Sequence, residues 1–354
     1  MIAEAGVNHN GSLDMALELI NKAADAGVDA VKFQTFVAEQ LISRYALKAE
    51  YQIRSTGADE SQLEMVRRLE LDEQMHEALI ARARLRGIEF LSTPFDAQSL
   101  EMLTGRFAMR TIKIPSGEIT NAPFLLEIAR KASRVIMSTG MSTLEEVETA
   151  LGVLAYGFTE SLPARPSVEA FRRSLVSARG NEALTRRVTL LHCTTEYPAP
   201  VAEANLRAMD AMGAAFGLPV GYSDHTQGIH IPVAAVARGA QVIEKHFTLD
   251  RSLPGPDHRA SLEPNELKEM VAAIRDVELA LGDGIKRPTE SELKNRGVAR
   301  RSLVAASPNE SGEGFTDHNM TCKRPGDGLS PILYWDLLGR SAGRRYEADE
   351  QLDD

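Results

Sequence analysis

Residues 1–33, MIAEAGVNHNGSLDMALELINKAADAGVDAVKF, hold one full turn of the pattern that decides the fold. A short apolar run, Met1–Ala5, gives way to polar residues. Leu13, Ala16, Leu17, Ile20, Ala23 and Ala24 then recur at spacings of three and four, which predicts an amphipathic helix. Gly27 stands where a left-handed helix C-cap belongs. A second β-branched run, Ala30–Phe33, follows. The runs Ile88–Leu91, Thr111–Ile114, Val135–Met137, Val188–Leu191, Pro219–Tyr222 and Gln241–Glu244 bring the total to eight. Helix-spaced stretches lie between and after them: 71–85, 123–132, 143–154, 205–216, 231–238 and 265–281. Eight strand–helix alternations predict a parallel sheet closed as a (β/α)8 barrel. An open doubly wound sheet is the alternative, and the absence of GxGxxG after the first run weighs against it.

Beyond residue 281 the alternation stops. Residues 282–298 are polar and read as a linker, and 299–354 read as a small irregular β domain punctuated by Gly and Pro. Two stretches are too long for ordinary barrel loops. Residues 39–59, after the second run, sit at the C-terminal strand face and are expected to act as a lid. Residues 155–187 precede a strand and are expected to form a structural insertion on the opposite face, with a helix near 168–177.

Composition narrows the function class. The 354 residues carry a net charge of −10, which disfavours nucleic-acid and anionic-membrane partners. Two cysteines make no disulfide framework, and no run of about 18 apolar residues predicts a membrane span. MIAEAGVNHNG has no export-signal pattern. A soluble cytoplasmic protein is the expectation.

A barrel of this type carries its chemistry at the C-terminal strand ends. Three constellations gather there. Lys32, Lys113, Ser116, Ser138 and Ser223, with the amides of Gly117 and Gly140, suit a phosphate or phosphate ester. The alternative is a set of solvated rim lysines, but a lysine inside AVKFQT or TIKIPSG is expected to be buried and therefore paired. His225 and His246 end adjacent strands and can share one divalent ion, or be two hydrogen-bonded core histidines; spacing alone leaves both open. His9, His192 and His230 are further ligand candidates, whereas His76 and His318 are expected at the surface. Glu4 and Glu118 can transfer protons, or serve only as ion-pair partners of Lys32 and Lys113. Asp224 and Lys245 also end strands. Cys193 and Cys322 read as small buried hydrophobes.

The stretches IAEAGVNHNG, VKFQT, STPFD, KIPSGEITN, STGM, LLHCTTEYPAP, GYSDHT, IEKHFTLDRSLPGPDHRASL and KRPGDGLSP together resemble the sialic acid synthase family, which includes N-acetylneuraminate, legionaminate and pseudaminate synthases. The resemblance implies condensation of phosphoenolpyruvate with an open-chain N-acetylated amino sugar and water, giving a nine-carbon 2-keto acid and phosphate. It implies N-acetylmannosamine as acceptor and N-acetylneuraminate as product, with a legionaminate synthase using 2,4-diacetamido-2,4,6-trideoxymannose as the alternative. Lys32, Lys113, Ser116, Ser138 and Ser223 then match the phosphoenolpyruvate cradle. His225 and His246 match the ligands of a divalent metal, Mn2+ first, with Mg2+ or Co2+ as alternatives. Glu4 and Glu118 match the acid/base carboxylates, and Gln34, Thr93, Tyr197 and Asp257 match sugar-lining positions. Residues 299–354 resemble the SAF (antifreeze-like) domain. Its Arg324 implies a domain-swapped homodimer in which that arginine reaches a partner's site.

Overall fold

The computed structural model describes residues 1–49, 53, 59–160 and 165–353. Eight strands appear: β1 Ile2–Gly6, β2 Ala30–Thr35, β3 Glu89–Pro94, β4 Thr111–Ile114, β5 Arg134–Ser138, β6 Val188–His192, β7 Val220–Asp224 and β8 Ile243–His246. They pair in parallel in the order β3-β2-β1-β8-β7-β6-β5-β4. β3 and β4 lie side by side at the remaining seam, which closes the sheet as a (β/α)8 barrel. The first and last strands meet in register Ile2↔Glu244 and Glu4↔His246.

The helix over Leu13–Ala26 shows how local sequence builds the outer layer. Ser12 caps its start by accepting from the Met15 amide, and Gly27, at φ 83°, ends it. Ala16, Leu19, Ile20 and Ala23 form the buried face. The helix Glu73–Arg86 turns His76, Leu79 and Ala83 inward at the same spacing. This corrects the surface position expected for His76. The ring is fully buried, its Nε2 2.8 Å from Thr35 Oγ1 and its Nδ1 2.8 Å from the Asp72 carbonyl. A polar residue on a core-facing helical position has to find partners, and these two satisfy both ring nitrogens. His318 is exposed.

In the long segment before β6, the helix Leu144–Thr159 runs past its expected end. Two further helices, Val168–Val176 and Ala178–Arg187, pack on it. Phe171 meets Tyr156 edge to face at 5.3 Å. The insertion therefore thickens the helix layer. Of the expected lid, residues 50–52 and 54–58 lie outside the described residues.

The chain divides into two compact units, Met1–Leu281 and Gly282–Asp354. The second holds a helix, Glu290–Ala299, where the polar composition suggested a plain linker. Thr289 and Glu292 form its capping box, and none of its residues is buried, which explains why no apolar stripe announced it. Strands β9 Ser302–Ala305 and β10 Met320–Lys323 pair antiparallel around a core that includes Leu303, Phe315, Met320 and Tyr346. Among the described residues, no helix is long and apolar enough to cross a membrane.

Asp224 and Lys245, candidates for the chemistry on position alone, turn outward from β7 and β8. They form an ion pair with no exposure, completed by Thr226. Strand side chains alternate faces, so the residue beside an inward one must point at the helices. Removing one partner of a buried pair strands the other charge. Asp224→Ala is expected to lower unfolding free energy by about 3–5 kcal/mol, read from urea midpoints, with partial recovery in Asp224→Ala/Lys245→Met.

Candidate active site

The inward positions at the C-terminal ends of the strands line one cavity of about 520 Å³. Glu4 comes from β1, Lys32 and Gln34 from β2, Thr93 from β3, Lys113 from β4, Ser138 from β5, Ser223 from β7 and His246 from β8. Ser116, Glu118, Tyr197, His225 and Asp257 join from the loops that follow. The three constellations expected separately thus face the same space. Arg324 lies in the second unit, where its Nε donates to the Ala299 carbonyl at 3.0 Å; its expected role across a dimer stays a proposal.

The floor is a buried cluster of charge. Lys32 Nζ stands 2.5 Å from Glu4 Oε2 and donates to Thr93 Oγ1 at 3.0 Å. Lys113 Nζ donates to Ser138 Oγ at 2.7 Å. Between the lysines sits Glu244, 3.7 Å from Lys32 and 3.8 Å from Lys113, accepting from Ser223 Oγ at 3.0 Å. Glu244 escaped the sequence reading, which took Lys245 and His246 from β8. The signal was available: with His246 inward, strand alternation puts residue 244 inward too.

Burial and charge set the protonation of this floor. Burial pushes Glu4 upward, the Lys32 ammonium pulls it down, and repulsion from Glu244 leaves it at about 7. Burial also opposes the charge on Glu244, but Lys113 and Lys32 outweigh it and hold the carboxyl below its ordinary value. Burial works against Lys32 as well, and Glu244 and Glu4 keep it above the usual lysine value. Lys113 is lowered, chiefly by burial.

Beyond β4, Ser116 and Gly117 line the cavity wall. Ser116 Oγ accepts from the Gly140 amide at 2.9 Å. A Cβ at Gly140 would crowd the hydroxyls of Thr195 and Ser116, so a glycine lets the chain pass close to both. Cys193 is buried as expected. Its thiol nonetheless lies 3.2 Å from Ser116 Oγ, because His192 occupies the opposite face.

His225 and His246 stand with ring centroids 5.4 Å apart, and Tyr197 packs on both at 4.2 and 5.5 Å. His225 Nδ1 lies 2.6 Å from the Thr194 carbonyl, which can only accept, so the proton is on Nδ1 and the Nε2 lone pair is free. Burial pushes His225 down to about 4 and, with the His225 and lysine charges, holds His246 well below the ordinary histidine value. Buried His246 Nδ1 has no hydrogen-bond partner among the described residues, and Asp257 Oδ2 lies 3.9 Å away. Two neutral imidazoles with unengaged lone pairs fit a divalent ion that takes its other ligands from substrate and water. No group of three or more His, Cys, Asp or Glu is arranged for a metal among the described residues, so a closed structural zinc site is not formed. His9, His192 and His230 do not line the cavity. His9 Nδ1 accepts from the Gly11 amide, and His192 Nε2 meets the Ala204 carbonyl.

A model of the NeuB family matches residues 19–286. The chain is 51% identical to the N,N'-diacetyllegionaminic acid synthase of Campylobacter jejuni, over 99% of this chain and 97% of that one. It is 44% identical to the N,N'-diacetyllegionaminic acid synthase of Legionella pneumophila, over 96% and 89%. The crystal structure of the N-acetylneuraminic acid (sialic acid) synthetase from Leptospira borgpetersenii superposes with a TM-score of 0.66 at 34% identity, covering 83% of this chain and 88% of that one.

Glu4 ties the floor to pH. Its ordinary value is 4.5 and its folded value about 7, so between these the folded chain keeps a proton that the unfolded chain releases. Stability from this group is complete below pH 4.5, falls as pH rises toward 7, and is level above it. Urea unfolding at stepped pH is expected to show that decline in the wild type, and a flatter profile over the same window in Glu4→Gln.

Proposed function

The chain belongs to the NeuB family of sialic-acid-type synthases, and from that premise we propose that it joins phosphoenolpyruvate, water and 2,4-diacetamido-2,4,6-trideoxymannose into a legionaminate-type 2-keto acid, releasing phosphate. The sequence motifs alone point first to N-acetylmannosamine and N-acetylneuraminate. Greater identity to the two legionaminic acid synthases than to the N-acetylneuraminic acid synthetase favours the alternative acceptor. The observation that carries the reaction is the buried floor: two lysines and the hydroxyls of Ser116, Ser138 and Ser223 beside a carboxyl lifted to about 7 and two neutral histidines, all on one cavity.

In this reading Lys113, Ser116 and Ser138 hold the phosphate, and Lys32 and Ser223 hold the rest of the enolpyruvyl anion. Gln34, Thr93, Tyr197 and Asp257 orient the acceptor with its aldehyde toward the enol C3. A divalent metal, Mn2+ first with Mg2+ or Co2+ as alternatives, would be held by His225 and His246 and would polarise the aldehyde as a Lewis acid. Glu4, lifted to about 7, holds a proton in part of the molecules at neutral pH and gives it to the aldehyde oxygen as the C3–C1 bond forms. The positive character left at C2 takes up water, whose proton passes to Glu118, placed at the mouth with Asn121 donating to its Oε2 at 2.7 Å. The tetrahedral intermediate then returns its C2 hydroxyl proton to the Glu4 carboxylate, forms the C2 carbonyl and breaks the C2–O bond to phosphate, which leaves with the electron pair. Enclosure in the barrel mouth keeps three reactants aligned.

Phosphate release is expected to need phosphoenolpyruvate, the acceptor and Mn2+ together. It is expected to fall about 10²–10⁴-fold in Glu118→Gln. In a side-by-side kcat/KM comparison the diacetamido-trideoxy acceptor is expected to exceed N-acetylmannosamine. A reversed order assigns the neuraminate reaction, and no phosphate release with either acceptor removes the proposal.

A further inference from the structure

The mouth of the cavity has two chemically different sides. The floor is charged, as described. The rim above β1, β2 and β3 is mainly apolar, with Gln62 also lining the cavity from the helix that carries Val66. Val7 follows β1, Phe36 follows β2 and Phe95 follows β3, while Leu41, Val66 and Leu69 come from the segment between β2 and β3. These six side chains pack as one cluster and line the same cavity as Glu4 and Gln34. Phe36 and Phe95 meet edge to face with centroids 6.1 Å apart. Among the described residues lining the cavity the lysines are Lys32 and Lys113, with no arginine, and both lysines lie on the floor against carboxylates and hydroxyls. A wall of this kind, partly open to the cavity, is more than the barrel needs to close. Hydrophobic side chains lining a space meant for a sugar call for an apolar part of that sugar.

Resting on the reaction proposed above, we propose that this rim is the subsite for C6 of the acceptor and selects a methyl group there. The aldehyde end of the acceptor must reach the floor, where Glu4 and the enol carbon are. Its amide and hydroxyl groups have Gln34, Thr93, Tyr197 and Asp257 as partners. The far end of the open chain then meets the rim. A methyl group there removes apolar surface from water. A hydroxymethyl group gives up water hydrogen bonds and gains none from six hydrocarbon side chains. A 6-phosphate brings a dianion to a wall on which the described residues place no cation. Discrimination by a hydrophobic pocket against an added hydroxyl is bounded at about 10²-fold, so the preference is substantial but finite.

The test uses acceptors that differ only at C6: 2,4-diacetamido-2,4,6-trideoxymannose, its 6-hydroxy counterpart, and the 6-phosphate of the latter. In the wild type the first is expected to exceed the second in kcat/KM by about 10- to 100-fold, with the 6-phosphate poorer still. Val66→Thr places a hydroxyl on the rim with little change of shape, at a half-buried helical position. It is expected to narrow the ratio about fivefold or more by improving the 6-hydroxy acceptor. The wild-type comparison stands without any variant. Phosphoenolpyruvate-dependent phosphate release at equal kcat/KM for the methyl and hydroxymethyl acceptors overturns the subsite and leaves the reaction standing. So does a wild-type ratio that survives unchanged in folded Val66→Thr, which would make the rim a seat for the chain around residues 41–69 and not for substrate. No turnover of either acceptor overturns the reaction, and the subsite with it.

Discussion

Two lysine ammonium groups buried at the centre of the barrel are the constraint around which this molecule is arranged. Lys32 and Lys113 are 3% and 4% exposed. Charges this deep are tolerable only with partners in place, and Glu4 and Glu244 supply them. The arrangement is compact enough that the two carboxyls do not share the lysines equally. Glu244 is held below its ordinary value between both, while burial and the repulsion of Glu244 lift Glu4 to about 7 against the pull of Lys32. In the proposed reaction this floor would meet the phosphoenolpyruvate anion, and the lifted Glu4 would supply the proton that a carbonyl addition needs.

The barrel makes this possible through its register. Parallel strands send every second side chain into the centre, and the pairing Glu4↔His246 sets the acid beside the histidine pair. The residues between them do a different job. Asp224 and Lys245 seal β7 and β8 to the helix layer, and His76 reaches in from a helix to tie β2. Charged residues on neighbouring positions of one strand therefore divide into a set that lines the cavity and a set that packs against the helices, according to the face they occupy.

Above the floor the mouth changes character. The apolar rim built on Phe36, Phe95 and Leu69 gives the cavity a second recognition surface whose demand is for hydrocarbon. Polar and apolar halves within one pocket read the two ends of one substrate: the end that reacts and the end that identifies it.

Much of this was legible in the chain itself. The alternation of short β-branched runs with helix-spaced segments determined the barrel, since each βα unit carries its own local signals, from the Ser12 cap to Gly27. The lysines inside AVKFQT and TIKIPSG announced buried charge, and the strand-end residues gathered where a barrel of this kind gathers them. What the linear order could not state was which face each residue takes and what stands opposite it. Glu244 was passed over for Lys245, His76 was placed outside, and the helix at residues 290–299 was hidden by its lack of a buried stripe. Those outcomes depend on distances between groups up to 240 residues apart, such as Glu4 and Glu244 on the paired strands β1 and β8. Local pattern sets secondary structure because hydrogen bonding and helix spacing are short-range. Partnership among buried charges is long-range, and only the closed barrel decided it.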